Sequence, residues 1–120
     1  MANAAQTHTP IPAEWRSTVA GILREGSRDA IITTLQSNLD WSATFPEAWD
    51  FERFNALASA LIAETVLGRH ITTMDDPGEV WAFWFTFEAR QLYAKINLLP
   101  DGKIIIIYSS HIPRKGKESL

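Results

Sequence analysis

Apolar and polar positions alternate most clearly in the last third of the chain, and three strands are predicted there: Glu79–Phe87, Arg90–Leu98 and Lys103–Ser110. Leu99-Pro100-Asp101-Gly102 supplies the turn between the second and third, with Pro setting φ and Gly allowing φ > 0. The first connection, around Glu88-Ala89, has no Gly or Asn and is read from the strand pattern alone. If Thr86 pairs with Gln91, then Trp84 faces Tyr93, Ala82 faces Lys95 and Val80 faces Asn97. One face then carries Trp81, Phe83, Phe85, Phe87, Leu92, Ala94, Ile96 and Leu98, all apolar. The other carries Trp84, Gln91, Tyr93, Lys95 and Asn97, an aromatic and polar mixture. A three-residue loop with a bulge after Leu99 pairs Ser109 with Tyr93 and His111 with Gln91 on this second face. A four-residue loop brings Tyr108 there and turns His111 away.

Upstream the period is helical. In Ala13–Glu25, opened by Pro10 and Pro12, Trp15, Val19, Ile22 and Leu23 share a face opposite Arg16, Arg24 and Glu25, and Gly26 is a natural stop. Ser27 is read as the cap of a short second helix with Ile31, Thr34 and Leu35 on one side, ending near Asn38. Asp40–Trp49, broken by Pro46, reads as a packed loop. Asp50 then caps a long helix, Phe51–Leu67, whose stripe is Phe51, Phe54, Ala58, Leu61, Ile62 and Thr65, with Gly68 ending it. Arg69–Met74 fits a short strand or an ordered loop, and Asp75-Asp76-Pro77-Gly78 a turn. Residues 1–9 are read as disordered and 10–120 as a single domain, without repeats or linkers. Helices followed by strands give an α+β class: N-terminal helices on one face of a three- or four-stranded antiparallel meander sheet, its other face open. The expected core contains Phe54, Leu61, Trp81, Phe83, Phe85, Leu92 and Ile96.

Composition narrows the function classes. The 120 residues are 46% hydrophobic and 21% charged, enough for one core without staples. There is no Cys, hence no disulfide and no thiolate metal site. The N-terminal residues show no secretory pattern and no apolar run approaches a bilayer span, so a cytoplasmic protein with no membrane partner is expected. A net charge of −3 argues against wholesale nucleic-acid binding. The charge is uneven, with four basic and seven acidic side chains in residues 1–60 but six basic and three acidic in 88–120. That basic end suits a local phosphate site or a solvated tail.

Several chemistries lack their residues. The glycines are scattered, so there is no phosphate-binding loop. There is no HExxH motif and no cysteine ligand, so no metal or other cofactor is expected, and Asp75-Asp76 before Pro-Gly is a turn more readily than a hard-cation site. Ser109-Ser110-His111 is no nucleophile triad, because Ser110 and His111 are adjacent on a strand and point oppositely. What remains is a convergent polar set: Lys95 between Tyr93 and Asn97, with Arg69 and His70 arriving from the preceding segment. His111 ends the last strand, and Arg114, Lys115 and Lys117 follow it. Such a set suits metal-free RNA cleavage, in which a base takes the 2′-OH proton, an acid protonates the leaving 5′ oxygen and cations hold the phosphate charge. Trp84 and Tyr93 are candidates for stacking an unpaired base, with Asn97, Arg114 and Lys115 as further substrate contacts. The same residues have plainer readings: a solvated Lys95, a structural His111, a helix-capping His70 and aromatic rings packed under a partner.

The segment Gly68–His111 resembles the motility quorum-sensing regulator toxins, within the metal-independent ribonucleases that include barnase, EndoU, colicin and RelE-like nucleases. Arg69-His70-Ile71-Thr72-Thr73 is similar to the family's basic residue before a Met-Thr-Thr-like stretch. Trp81 precedes the next strand, Gln91-Leu92-Tyr93-Ala94-Lys95-Ile96 resembles its Tyr-Leu-Lys-Ile strand, and Ile107-Tyr108-Ser109-Ser110-His111 its Ile-Ser-Phe-Lys ending. The resemblance implies Tyr93 as the active-site Tyr, Arg69 or His70 as the first catalytic basic residue, and His111 in place of a late catalytic Lys. The family's functional Gln falls on Ala82. The expected function is therefore an endoribonuclease toxin acting on mRNA or tRNA, with His111 and His70 as acid and base, Lys95 and Arg69 or Arg114 on the phosphate, Tyr93 positioning, and a cognate antitoxin or immunity protein as partner. The alternatives are a non-enzymatic antitoxin, immunity protein or nuclease inhibitor using the aromatic sheet face, and a small-ligand-binding domain.

Overall fold

The computed structural model describes residues 8–63 and 65–113. In chain order the elements are β1 (Thr9–Pro10), α1 (Ala13–Glu25), β2 (Ile31–Thr33), α2 (Leu35–Thr44), α3 (Asp50–Leu61), β3 (Leu67–Ile71), β4 (Glu79–Phe87), β5 (Arg90–Leu98) and β6 (Ile105–His111). The class is α+β, but the sheet is larger than a three- or four-stranded meander. Among the described residues six strands lie in the order β1-β3-β4-β5-β6-β2, antiparallel except for the parallel pair β2 and β6.

The β4–β5 hairpin has the expected bounds and register, with Trp84 opposite Tyr93, Ala82 opposite Lys95 and Val80 opposite Asn97. Its two-residue turn is made by Glu88 and Ala89, both at positive φ (49° and 63°). That is the backbone a right-twisted hairpin needs, here adopted without Gly or Asn. The apolar face packs as expected: Trp81, Phe83, Phe85, Leu92 and Ile96 are buried in one cluster with residues of all three helices. Each such side chain contributes about 1.5–3 kcal/mol relative to exposure.

Helix α1 has the expected bounds, and Gly26 ends it at φ 68° with its N–H donating to Ile22 O. Arg16, expected on the solvent face, instead caps α3: its guanidinium donates to Leu61 O at 3.0 Å and Ala63 O at 2.7 Å. These are carbonyls without intrahelical partners at a helix end.

The second helix differs from expectation. Ile31-Ile32-Thr33 forms β2 against Ile105-Ile106-Ile107 of β6, because β-branched side chains fit a sheet flanked by isoleucines better than a helix. Thr34, not Ser27, is the cap, its hydroxyl accepting from Ser37 N–H at 3.1 Å. Helix α2 therefore takes in half of the segment read as loop, and Trp41 packs 4.6 Å from Phe45 and 5.0 Å from Phe87.

Helix α3 is shorter and turned relative to expectation. Trp49 is its N-cap residue, and the Glu52 carboxylate accepts from Trp49 N–H at 2.7 Å. The buried positions are Arg53, Leu57, Ala58 and Leu61, while Phe54 is half-buried and Phe51 and Ile62 are 61% and 54% exposed. Gly68 is no helix stop; it is buried within β3, where a Cβ would lie 2.6 Å from Ala82 O and 2.7 Å from Ile11 Cδ1. Of the stretch read as disordered, residues 1–7 lie outside the described residues and Thr9 pairs with Gly68 in β1.

Candidate functional site

All three helices bury their apolar sides on the Phe83 face, and the candidate residues line up on the opposite face in three rows. Paired residues on neighbouring strands share a face, about 4.5–5.5 Å apart. The middle row runs Arg69, Ala82, Lys95, Ser109 across β3, β4, β5 and β6. Ala82 is fully buried and small, so the cationic side chains of Arg69 and Lys95 flank a low point in the sheet. Arg69 Nε is buried and has no hydrogen-bond partner among the described residues.

The second row is aromatic. Trp84 meets Tyr93 edge-on at 6.1 Å, and Tyr93 stacks on His111 at 5.7 Å and 29°. His111 therefore pairs with Tyr93 rather than Gln91, and Ser109 with Lys95 rather than Tyr93. The face is the expected one; the register is displaced by one pair. His111 Nδ1 lies 2.9 Å from Ile112 O. A carbonyl only accepts, so Nδ1 carries the hydrogen, which leaves Nε2 of the neutral ring as the acceptor nitrogen. Tyr93 and His111 are buried, at 3% and 5% exposure, so this face, which carries no helix among the described residues, is not the open surface expected.

The third row holds Val80 and Asn97, joined by Tyr108. A bulge leaves Tyr108 with no β5 residue in register opposite it, between the pairs Ile96–Ile107 and Lys95–Ser109. This resolves the register choice for the last strand by placing both Tyr108 and His111 on the site face. Asn97 is fully buried, and its Nδ2 donates to Pro77 O at 3.0 Å and Tyr108 Oη at 3.2 Å. Tyr108 Oη donates to Asp76 Oδ2 at 2.6 Å. Burial first, and this bond to the carboxylate second, push the phenol above its ordinary value.

His70 is not part of this constellation. It pairs with Trp81 and stacks on its indole at 4.9 Å, on the helix side. Adjacent residues of a strand alternate, so only Arg69 of the Arg69-His70 pair faces Lys95. Arg114 and Lys115, and Lys117 beyond them, lie outside the described residues. Tyr108 was expected on this face only with a four-residue loop, and Asp76 was weighed only as a cation ligand or turn residue; neither pattern shows that a bulge would join the two. Among the described residues no three His, Cys, Asp or Glu stand together as a metal site, the Asp75-Asp76 pair included. A cavity of about 560 Å³ between the end of α1, β2 and the start of α3 contains none of these residues. Its Arg24 and Arg28 are balanced by Glu25 and Asp50.

The chain matches no family model, no curated protein and no solved structure. The likeness to the ribonuclease toxins thus rests on the residue patterns of Gly68–His111.

Proposed function

We propose that this protein is a metal-independent endoribonuclease of the toxin type, cutting single-stranded RNA by attack of a 2′-OH on the adjacent phosphorus. The observation that carries the reading is the pair Arg69 and Lys95 on either side of Ala82, one row from Tyr93 and His111. A phosphodiester laid over Ala82 meets two fixed positive charges, and the buried Arg69 Nε–H is a donor in need of an acceptor. Lys95 and Arg69 hold the charge that grows on phosphorus, and His111 Nε2 moves a proton at the reacting oxygens. Tyr93 sets the plane of the imidazole by stacking on it, and half-buried Trp84 offers a ring to an unpaired base. An antitoxin or immunity protein restrains the enzyme in the cytoplasm.

The test is incubation of the purified chain with end-labelled single-stranded RNA in a chelator. Products ending in 2′,3′-cyclic phosphate are expected, with about 10²-fold less cleavage for Lys95→Met and for Arg69→Met. Intact RNA, together with harmless expression in bacteria, would transfer the assignment to a second reading, a non-enzymatic inhibitor or immunity protein. One observation favours that second reading: Leu35, Trp49 and Phe51 on the helical side are 74%, 71% and 61% exposed, the kind of residue that anchors an interface. The aromatic sheet face contributes little to it, since Tyr93 is buried.

A further inference from the structure

Cleavage through the 2′-OH needs two proton-transfer groups, and His70, the expected second one, lies on the helix side with Trp81. On the site face a carboxylate is held in position instead. We propose that Asp76 is the second proton-transfer group, taking the 2′-OH proton while His111 protonates the departing 5′ oxygen; this rests on the ribonuclease reading above.

Asp76 is exposed, yet it is positioned by four features. Tyr108 Oη donates to its Oδ2 at 2.6 Å. Tyr108 is itself the bulge residue of β6, its phenol receiving the Asn97 Nδ2 hydrogen at 3.2 Å. The same Asn97 nitrogen donates to Pro77 O, tying the chain one residue after Asp76 to the sheet. Gly78, at φ 127°, then packs where any Cβ would collide with Asn97 Oδ1 and would lie 2.6 Å from Leu98 O. A surface turn needs none of this to reverse direction. The bond from Tyr108 engages one carboxylate oxygen, and Oδ1 makes no hydrogen bond among the described residues.

The arrangement matches in-line displacement. Successive rows are two residues apart along the strands, about 6.6 Å. His111 lies on one side of the Arg69–Lys95 row and the Tyr108–Asp76 pair on the other. An in-line transfer puts nucleophile and leaving group on opposite sides of phosphorus, with cations between. In the step, Asp76 accepts the 2′-OH proton as the O2′–P bond forms. The P–O5′ bond breaks, and the His111 imidazolium gives its proton to O5′. A 2′,3′-cyclic phosphate and a 5′-OH result, with no other reactant.

The discriminating experiment compares a dinucleoside monophosphate with uridine 3′-(4-nitrophenyl phosphate), whose leaving group departs without a proton. Asp76→Asn is expected to slow both substrates by about 10²–10⁴-fold. His111→Ala is expected to slow the dinucleotide by that order but the aryl ester by less than about tenfold. Tyr108→Phe removes the hydrogen bond to the turn while leaving the carboxylate, and is expected to lose at most a tenth of what Asp76→Asn loses. Wild-type cleavage retained in Asp76→Asn, an aryl ester spared by it, or a Tyr108→Phe loss equal to that of Asp76→Asn would each overturn the assignment and leave the ribonuclease reading standing. A wild-type chain that cuts neither substrate would remove both.

Discussion

Arg53 donates through Nη1 to the Ser110 hydroxyl at 3.3 Å, across the buried seam between α3 and β6. The residue is 1% exposed, and its Nη2 donates to Asn38 Oδ1 of α2 at 2.9 Å. The guanidinium carbon lies 5.7 Å from the Trp41 ring and 5.4 Å from the Phe54 ring. The nearest carboxylate, Asp50, is 3.8 Å away with its side chain 72% exposed, so solvent screens most of that attraction. Burial accordingly lowers the Arg53 pKa, with Asp50 opposing. One cation joins α2, α3 and β6 through neutral acceptors and rings, with Nε unpartnered among the described residues.

Removing it should be costly, and replacing it by an apolar chain much less so. Arg53→Ala leaves a cavity and strands the Ser110 and Asn38 groups, an expected loss of about 3–5 kcal/mol. Arg53→Met fills the volume and is expected to lose less than half as much. Urea titrations of the two variants check this; equal losses would show that the charge itself is required.

The β4–β5 turn should accept improvement. Glu88 and Ala89 occupy the left-handed region at a cost of about 1–2 kcal/mol each. Glu88→Asn with Ala89→Gly is expected to raise the unfolding midpoint, by about 1 kcal/mol in total after the added freedom of the unfolded chain is counted. An unchanged or lowered midpoint would contradict the assigned backbone.

Tyr108 gives a pH dependence with a definite sign. Its folded pKa is raised above the ordinary 10.0, so the neutral phenol is favoured by the fold. Below pH 10 both states hold the proton and the contribution is complete. Above it the unfolded chain releases its proton first, binds fewer protons than the folded chain, and stability falls as pH rises through the folded pKa. Melting temperatures from pH 8 to 11 should therefore drop more steeply for wild type than for Tyr108→Phe.

The two strand histidines should behave oppositely in an RNA cleavage assay. His70→Ala is expected to stay within about twofold of wild type, and His111→Ala to lose about 10²–10⁴-fold. Because His111 is buried against Tyr93, its variant should also unfold more easily, so rates are compared at a temperature where circular dichroism shows both folded.

Gly68→Ala tests the close approach of β3 to β4. A methyl group 2.6 Å from Ala82 O forces the strands apart, and an expected loss of about 1–3 kcal/mol would be visible in thermal melts.

The β4–β5 hairpin was legible in the chain because its alternation leaves one register in which Trp81, Phe83, Phe85, Leu92 and Ile96 share a face. Tyr93 and Lys95 followed from that register, and α1 from its 3.6-residue stripe and Gly26. Other features depended on partners remote in sequence. Ile31-Ile32-Thr33 became a strand only because Ile105-Ile106-Ile107 lies beside it, and Arg53 became a core residue only because Asn38 and Ser110 meet it there. The Tyr108 bulge decided that His111 shares a face with Lys95, strand parity separated His70 from both, and the turn carrying Asp76 reached the site through Asn97 and Tyr108. Periodicity records which side chains of one element share a side; which side is buried, and which elements meet across it, is set by long-range pairing and packing that no local pattern encodes.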